Sequence, residues 1–195
     1  MKPYKLFILL GIIIFFTRNL LSSNDCGDGN IKSEILILAK SNLKEWFNSL
    51  KINLDNLTTN EFELENDFKL NLIKIQINED NFPYNIYNKF FIKNESNDKY
   101  LDIYSYSHSI ERNGNELMYY GMNIDSEIYL YDIVENELVV LDFFGSDFII
   151  EDGICFDNNI ILVGLMSSNS DYIPIIMIYD LNKHCKYYYK IKNIK

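Results

Sequence analysis

Histidine is almost missing from this chain: His108 and His184 are the only two among 195 residues, and 76 positions separate them. The three cysteines, Cys26, Cys155 and Cys185, are equally scattered. No cluster therefore stands at the spacings that bind zinc, and acid–base chemistry is left mainly to carboxylates. Glycine and proline are scarce too, at 8 and 3. There is no phosphate-cradling Gly-Lys-Ser/Thr loop, no Gly-x-Ser-x-Gly elbow and no dinucleotide Gly-x-Gly-x-x-Gly, so no cofactor is expected. The acid-rich runs Asp25 to Asn30 and Asn78 to Asn81 miss the twelve-residue register of a calcium loop, and no metal is expected.

Basic charge is also in short supply. With 18 Lys and Arg against 28 Asp and Glu, the formal net charge is −10. Such a chain repels phosphate backbones, which argues against nucleic acid, and it does not dock on anionic lipid by charge. Long apolar runs are lacking as well. The longest apolar run, Leu6 to Phe16, spans only ~16 Å as a helix, about half the hydrocarbon core of a membrane.

What is present begins with that short run. Lys2 and Lys5 precede it, and Leu20-Leu21-Ser22-Ser23 comes after it as a small-residue exit, the order of a cleaved export signal over residues 1–23. Cleavage takes away three cations and no acid, moving the net charge to −13. The expected location is the periplasm, the outer membrane or the exterior. Residues 24–30 read as a flexible linker. Cys26 within it is the candidate lipidation site and the only route to a membrane. Bacterial lipoproteins are acylated on a cysteine just past the signal, although a small residue ordinarily precedes it and Asp25 does so here.

Residues 31–195 read as a single folded domain. Apolar residues from Ile31 through Leu57 recur at three- to five-residue steps, with Lys, Glu and Asn between them, the pattern of an amphipathic helix over 31–57, with a break expected near Asn53, that packs on the strand-rich remainder of the chain. From Glu61 the period becomes two. Phe68, Leu70 and Leu72 alternate with polar residues, then Ile73, Ile75 and Ile77 do so one phase later, so a bulge is expected near Leu72 and Ile73. Further strand-like runs cover 86–93, 100–110, 117–122, 128–133, 138–144, 154–156, 160–165, 175–179 and 185–191, separated by turn clusters such as Asn94 to Asp98. The gaps are too short for crossover helices, so an antiparallel meander of successive hairpins is expected.

Two stretches, 115–141 and 159–189, repeat the same order of motifs, with Gly121 answering Gly164 and Asp132 answering Asp180. A period near 45 residues is that of a propeller blade. Closure needs at least four blades, and the ~135 residues after Glu61 supply about three. The expected fold class is thus mainly β (α+β), a helix on an open meander with weak blade-like repeats, or a small two-layer or barrel-like fold capped by the helix, and not a closed propeller.

In an exported chain disulfides persist, and Cys155 with Cys185 is the obvious pair. In a meander those residues sit on the first and fourth of four sequential strands, ~14 Å apart at ~4.8 Å per strand, about twice the reach of a disulfide. Two buried free thiols are expected instead.

The candidate binding residues are Asp102, Tyr104, Tyr106 and His108. At two-residue steps they share one face of one strand, where the rings could stack on a sugar or peptide; the plainer reading is a Tyr-rich packing face. His184 belongs to a turn beside Cys185. Asp125, Glu127, Asp132 and Glu135 lie near hairpin ends, where a carboxylate pair of a glycosidase could sit, though turn acids are usually only solvated. No catalytic residue is assigned. The expected function is an exported, non-catalytic binding protein, an immunity or inhibitor protein for a basic protein partner. A glycan-binding surface lipoprotein is the alternative, and an envelope hydrolase with paired carboxylates stands behind both.

Overall fold

The computed structural model describes residues 26, 31–77, 90–104, 108–113, 116–121, 125–168 and 171–192. The signal at 1–23, the linker apart from Cys26, the Asn78 to Asn81 run and Tyr106 lie outside the described residues.

The leading segment holds two short helices where one was expected: α1 (Ser33–Asn42) and α2 (Lys44–Ser49), separated at Leu43. Although the apolar spacing runs on to Leu57, the backbone ends its helix at Leu50. Lys51 adopts a φ of 57°. Its N–H donates to Asn48 O at 2.9 Å, and the next N–H, of Ile52, donates to Phe47 O at 3.0 Å. These two reversed bonds close the last turn and satisfy its carbonyls.

Among the described residues twelve strands follow: β1 (Phe62–Lys69), β2 (Ile73–Gln76), β3 (Ile92–Lys93), β4 (Lys99–Asp102), β5 (His108–Asn113), β6 (Glu116–Gly121), β7 (Ser126–Asp132), β8 (Glu137–Phe144), β9 (Phe148–Phe156), β10 (Asn159–Ser168), β11 (Asp171–Asp180) and β12 (Cys185–Ile191). They form two antiparallel five-stranded sheets, ordered β1-β12-β11-β10-β9 and β2-β8-β7-β4-β3, plus the hairpin β5-β6. The fold is mainly β, with few helices and no closed barrel among the described residues.

Successive hairpins account for β9 to β12, but not for the whole chain. β1 pairs with β12 across the full domain, Phe62 opposite Ile191, and β2 pairs with β8, Ile73 opposite Val140. The phase slip at Leu72 and Ile73 is therefore not a bulge within one strand. It is the point where the chain leaves the first sheet for the second, with Leu70 buried on the way. The run expected over 100–110 is likewise two strands, β4 in the second sheet and β5 in the hairpin. The two copies of the sequence repeat occupy different surroundings. In the later copy β10, β11 and β12 are neighbours, whereas in the earlier one β6 pairs with β5 while β7 and β8 join the second sheet.

Burial explains the sequence of the first sheet. Ile160 to Val163 and Ile175 to Tyr179 are buried without alternation, because both faces of these central strands are covered. On one side Ile161, Val163, Ile176 and Ile178 share a cluster with Leu36, Ala39, Leu43, Trp46 and Phe47. On the other, Ile160, Leu162, Ile175 and Met177 share one with Leu101, Ile128, Leu130 and Leu141 of the second sheet. Edge strands read differently: every residue of β2 is exposed.

Candidate functional site

The four-residue stripe is not assembled on one strand. β4 ends at Asp102, which is buried, and its Oδ1 accepts the Tyr104 N–H at 3.0 Å, turning the chain out of the sheet. Tyr104 is half-buried and donates its hydroxyl to Glu151 O at 3.1 Å. Tyr106 lies outside the described residues. His108 opens β5 in a separate two-stranded sheet. His184 is exposed in the β11–β12 turn with a φ of 54°, a left-handed position that histidine tolerates better than most residues.

Two of the hairpin-end acids are tied to neighbours on their own stretch of chain. Asp132 Oδ1 accepts the N–H groups of Val134 and Glu135 at 3.1 and 3.0 Å, and Glu127 accepts the Tyr129 hydroxyl at 2.6 Å. Among the described residues no group of three or more His, Cys, Asp or Glu is placed to hold a metal.

The most developed polar arrangement centres on Asp142, a residue that spacing alone does not single out. Opposite β7, Ile128 pairs with Asp142 and Tyr129 with Val140, which leaves Leu141 as the extra residue of a bulge. A bulge turns two successive side chains to one side. Leu141 is accordingly buried in the core between the sheets, and Asp142 reaches across to the first sheet. Its carboxylate accepts Lys186 Nζ at 2.7 and 2.8 Å, the Tyr179 hydroxyl at 2.8 Å and the Tyr188 hydroxyl at 3.1 Å. Burial pushes the Tyr179 and Tyr188 hydroxyls well above their ordinary range, and the neighbouring Asp142 charge adds to this. Both therefore remain donors at neutral pH. The pair is largely dry, with side-chain exposures of 17% for Lys186 and 10% for Asp142. Removing either partner would leave the other charge uncompensated there.

Beside this node lies a cleft of about 340 Å³ on the first sheet, to which all five strands contribute. Its apolar wall consists of Phe68, Phe148, Met166, Ile175 and Tyr188. Tyr188 meets Phe68 and Phe148 edge-on at centroid distances of 5.6 and 6.4 Å, and Lys186 Nζ lies 5.3 Å from the ring centres of both Phe68 and Tyr188. The second cation at the cleft, Lys190, pairs with Glu65 at 2.7 Å. Phe68 is 39% exposed, high for a large apolar ring and consistent with a place at the cleft's rim.

The cysteines call for a correction. Cys155 is a buried free thiol, and strand order does keep it three strands from Cys185. Cys185, however, is not free: it is bonded to Cys26, with a Cα separation of 5.8 Å. Its partner comes from the segment read as a tether, not from the sheet. Cys26 is 1% exposed, and its carbonyl accepts the Tyr187 hydroxyl. The bond occupies the sulfur that acylation would need, so a lipid on Cys26 and this disulfide exclude each other.

Burial pushes the Cys155 thiol up to about 11 from its ordinary value near 9. The folded chain holds this proton more tightly than the unfolded chain does. The contribution to stability is complete below about pH 9 and is lost as pH rises towards about 11. At pH 7 only ~1 in 10,000 of such thiols is ionised, against a few per cent of free ones. Alkylation of native protein at pH 7 should therefore run at least about 100-fold slower than alkylation of the unfolded chain, as mass spectrometry after timed iodoacetamide exposure would read.

No protein-family model, curated protein or solved structure matches the chain.

Proposed function

We propose that this chain is an exported, non-catalytic binding protein that holds a ligand by burial in the cleft of the first sheet. One observation carries the reading: the cleft has an open apolar wall, while its charged groups are already spent on each other as Lys186–Asp142 and Lys190–Glu65. Such a site offers contact area and not a proton donor in search of a substrate. Export is supported by the Cys26–Cys185 bond, since disulfides persist in oxidising compartments. The helices share the cluster around Trp46 and Phe47 with one face of the first sheet, whereas Ile175, Phe148, Met166 and Tyr188 of the cleft belong to the cluster on the other face, which the second sheet shares.

The test is native mass spectrometry of the chain recovered from its host's envelope and medium. The expected species begins near residue 24, is about 2 Da lighter than its reduced form for its one disulfide, carries no lipid and retains a small adduct. Met166→Trp, which fills the cleft, should release that adduct. A diacylglycerol mass on Cys26 would overturn the soluble reading, and an adduct unaffected by Met166→Trp would move the ligand elsewhere.

A second reading rests on the acid excess. At −13 after signal removal, the surface would steer a basic protein partner into a complex that weakens steeply as salt rises.

A further inference from the structure

Resting on the reading of the cleft as a ligand site, we infer that its ligand is a neutral aromatic molecule and not an anion. Two lysines on the wall suggest an anion site at first sight, but each is already neutralised. Lys186 lies 2.7 Å from Asp142 and Lys190 lies 2.7 Å from Glu65. An incoming carboxylate or phosphate would have to displace a protein carboxylate or sit beside it, and the second arrangement costs like-charge repulsion in a partly dry site. A cation meets the mirror-image obstacle, with both carboxylates already engaged.

A neutral ring meets neither. The wall it would touch is a connected aromatic surface: Tyr188 packs on Phe68 at 5.6 Å and on Phe148 at 6.4 Å, and the buried Phe144 packs behind Phe148 and Tyr188. Ring edges and faces are both presented there, the arrangement that aromatic partners favour. Met166, the ladder partner of Phe148, supplies an adaptable thioether. The volume of about 340 Å³ falls at the lower end of small-molecule pockets, which suits two or three fused or linked rings and not a polymer.

A matched pair of fluorescent probes decides the ligand class. N-phenyl-1-naphthylamine and 1-anilinonaphthalene-8-sulfonate share one ring framework and differ by a sulfonate. The full mature chain should bind the neutral probe saturably, one per molecule, at least about 10-fold more tightly than the sulfonate. Its affinity should hold between about 50 and about 500 mM salt, since no charge pairing is involved. Phe68→Ala removes an exposed wall ring and should weaken the neutral probe about fivefold or more. Met166→Trp should block it. Glu65→Gln frees Lys190 at the rim and should tighten sulfonate binding while leaving the neutral probe unchanged. If the sulfonate binds as tightly as its neutral twin and loses affinity in Phe68→Ala, the cleft is a ligand site but the inferred class is wrong. If neither probe saturates, or if both bind regardless of Phe68→Ala and Met166→Trp, the ligand-site reading falls with the inference.

Discussion

Cys26→Ser should lower the melting temperature of the chain by roughly 10–20 °C, and Cys185→Ser should lower it by the same amount. The two residues are 159 positions apart, so their bond closes most of the chain into one loop. Loop-closure entropy for a cross-link of that span amounts to about 5 kcal/mol, the upper end of what disulfides contribute. In a chain of this size each kcal/mol corresponds to roughly 2–4 °C. Both variants delete the same cross-link, so the double variant should melt with the singles and not below them. Reductant should bring the wild type to the melting point of the variants and leave the variants unmoved. A Cys26→Ser chain that melts with the wild type would show that no such bond forms in solution, and acylation of Cys26 would regain its standing. The seating of Cys26 argues for the bond: a residue 1% exposed, with its carbonyl taken by the Tyr187 hydroxyl, belongs to the core.

That disulfide marks where the sequence stopped being legible. Cys155 and Cys185 could be kept apart by counting strands, because β9 to β12 are joined by short turns and pair in order. Cys26 could not be placed, because it precedes every periodic element and spacing says nothing of which strand such a residue meets. The same limit governs the sheets. Alternation reveals that a strand exists and which residues share a face, but it does not reveal that Phe62 pairs with Ile191 or Ile73 with Val140. A phase slip looks the same whether a strand bulges or the chain changes sheets, and at Leu72 it changes sheets.

Asp142 was hidden for a related reason. In Val139-Val140-Leu141-Asp142 strict alternation puts Asp142 on the outer face, opposite in direction to Leu141, and only the bulge turns it inwards. Lys186 was more visible. In β12 Cys185, Tyr187, Tyr189 and Ile191 are buried, which puts Lys186 and Tyr188 on the other face of a strand whose both sides are in use. A lysine at such a position needs a counterion, and that signal was available in the spacing. The stripe from Asp102 to His108 showed the opposite failure: a period of two continued through residues where the Asp102 side chain caps the strand and ends it.

A second bulge carries the remaining expectation: Gly164→Ala should cost about 3 kcal/mol or more, while Gly145→Ala stays within about 0.5 kcal/mol of wild type. Along β9 and β10, Val163 pairs with Asp152 and Gly164 with Ile150, so Glu151 is the extra residue. The bulge brings the strands so close that a Cβ on Gly164 would collide with Ile149 O and lie 3.0 Å from its carbonyl carbon. Neither is the end of a flexible side chain. The obstacle is backbone, held by the ladder that joins β9 to the sheet, and relief requires the two strands to part. Gly145 has nothing within 4 Å of the same added atom, so the pair separates a close approach from a general loss of glycine. The expected readout is a fall of roughly 6–12 °C in melting temperature for Gly164→Ala alone. Because Glu151 accepts Trp46 Nε1 at 2.7 Å, parting the strands should also loosen α2, visible as a red shift in the emission of the single tryptophan before unfolding. An unchanged melting point would mean that β9 and β10 are not bulged at Glu151. The contact between Trp46 and Glu151 would then need another origin.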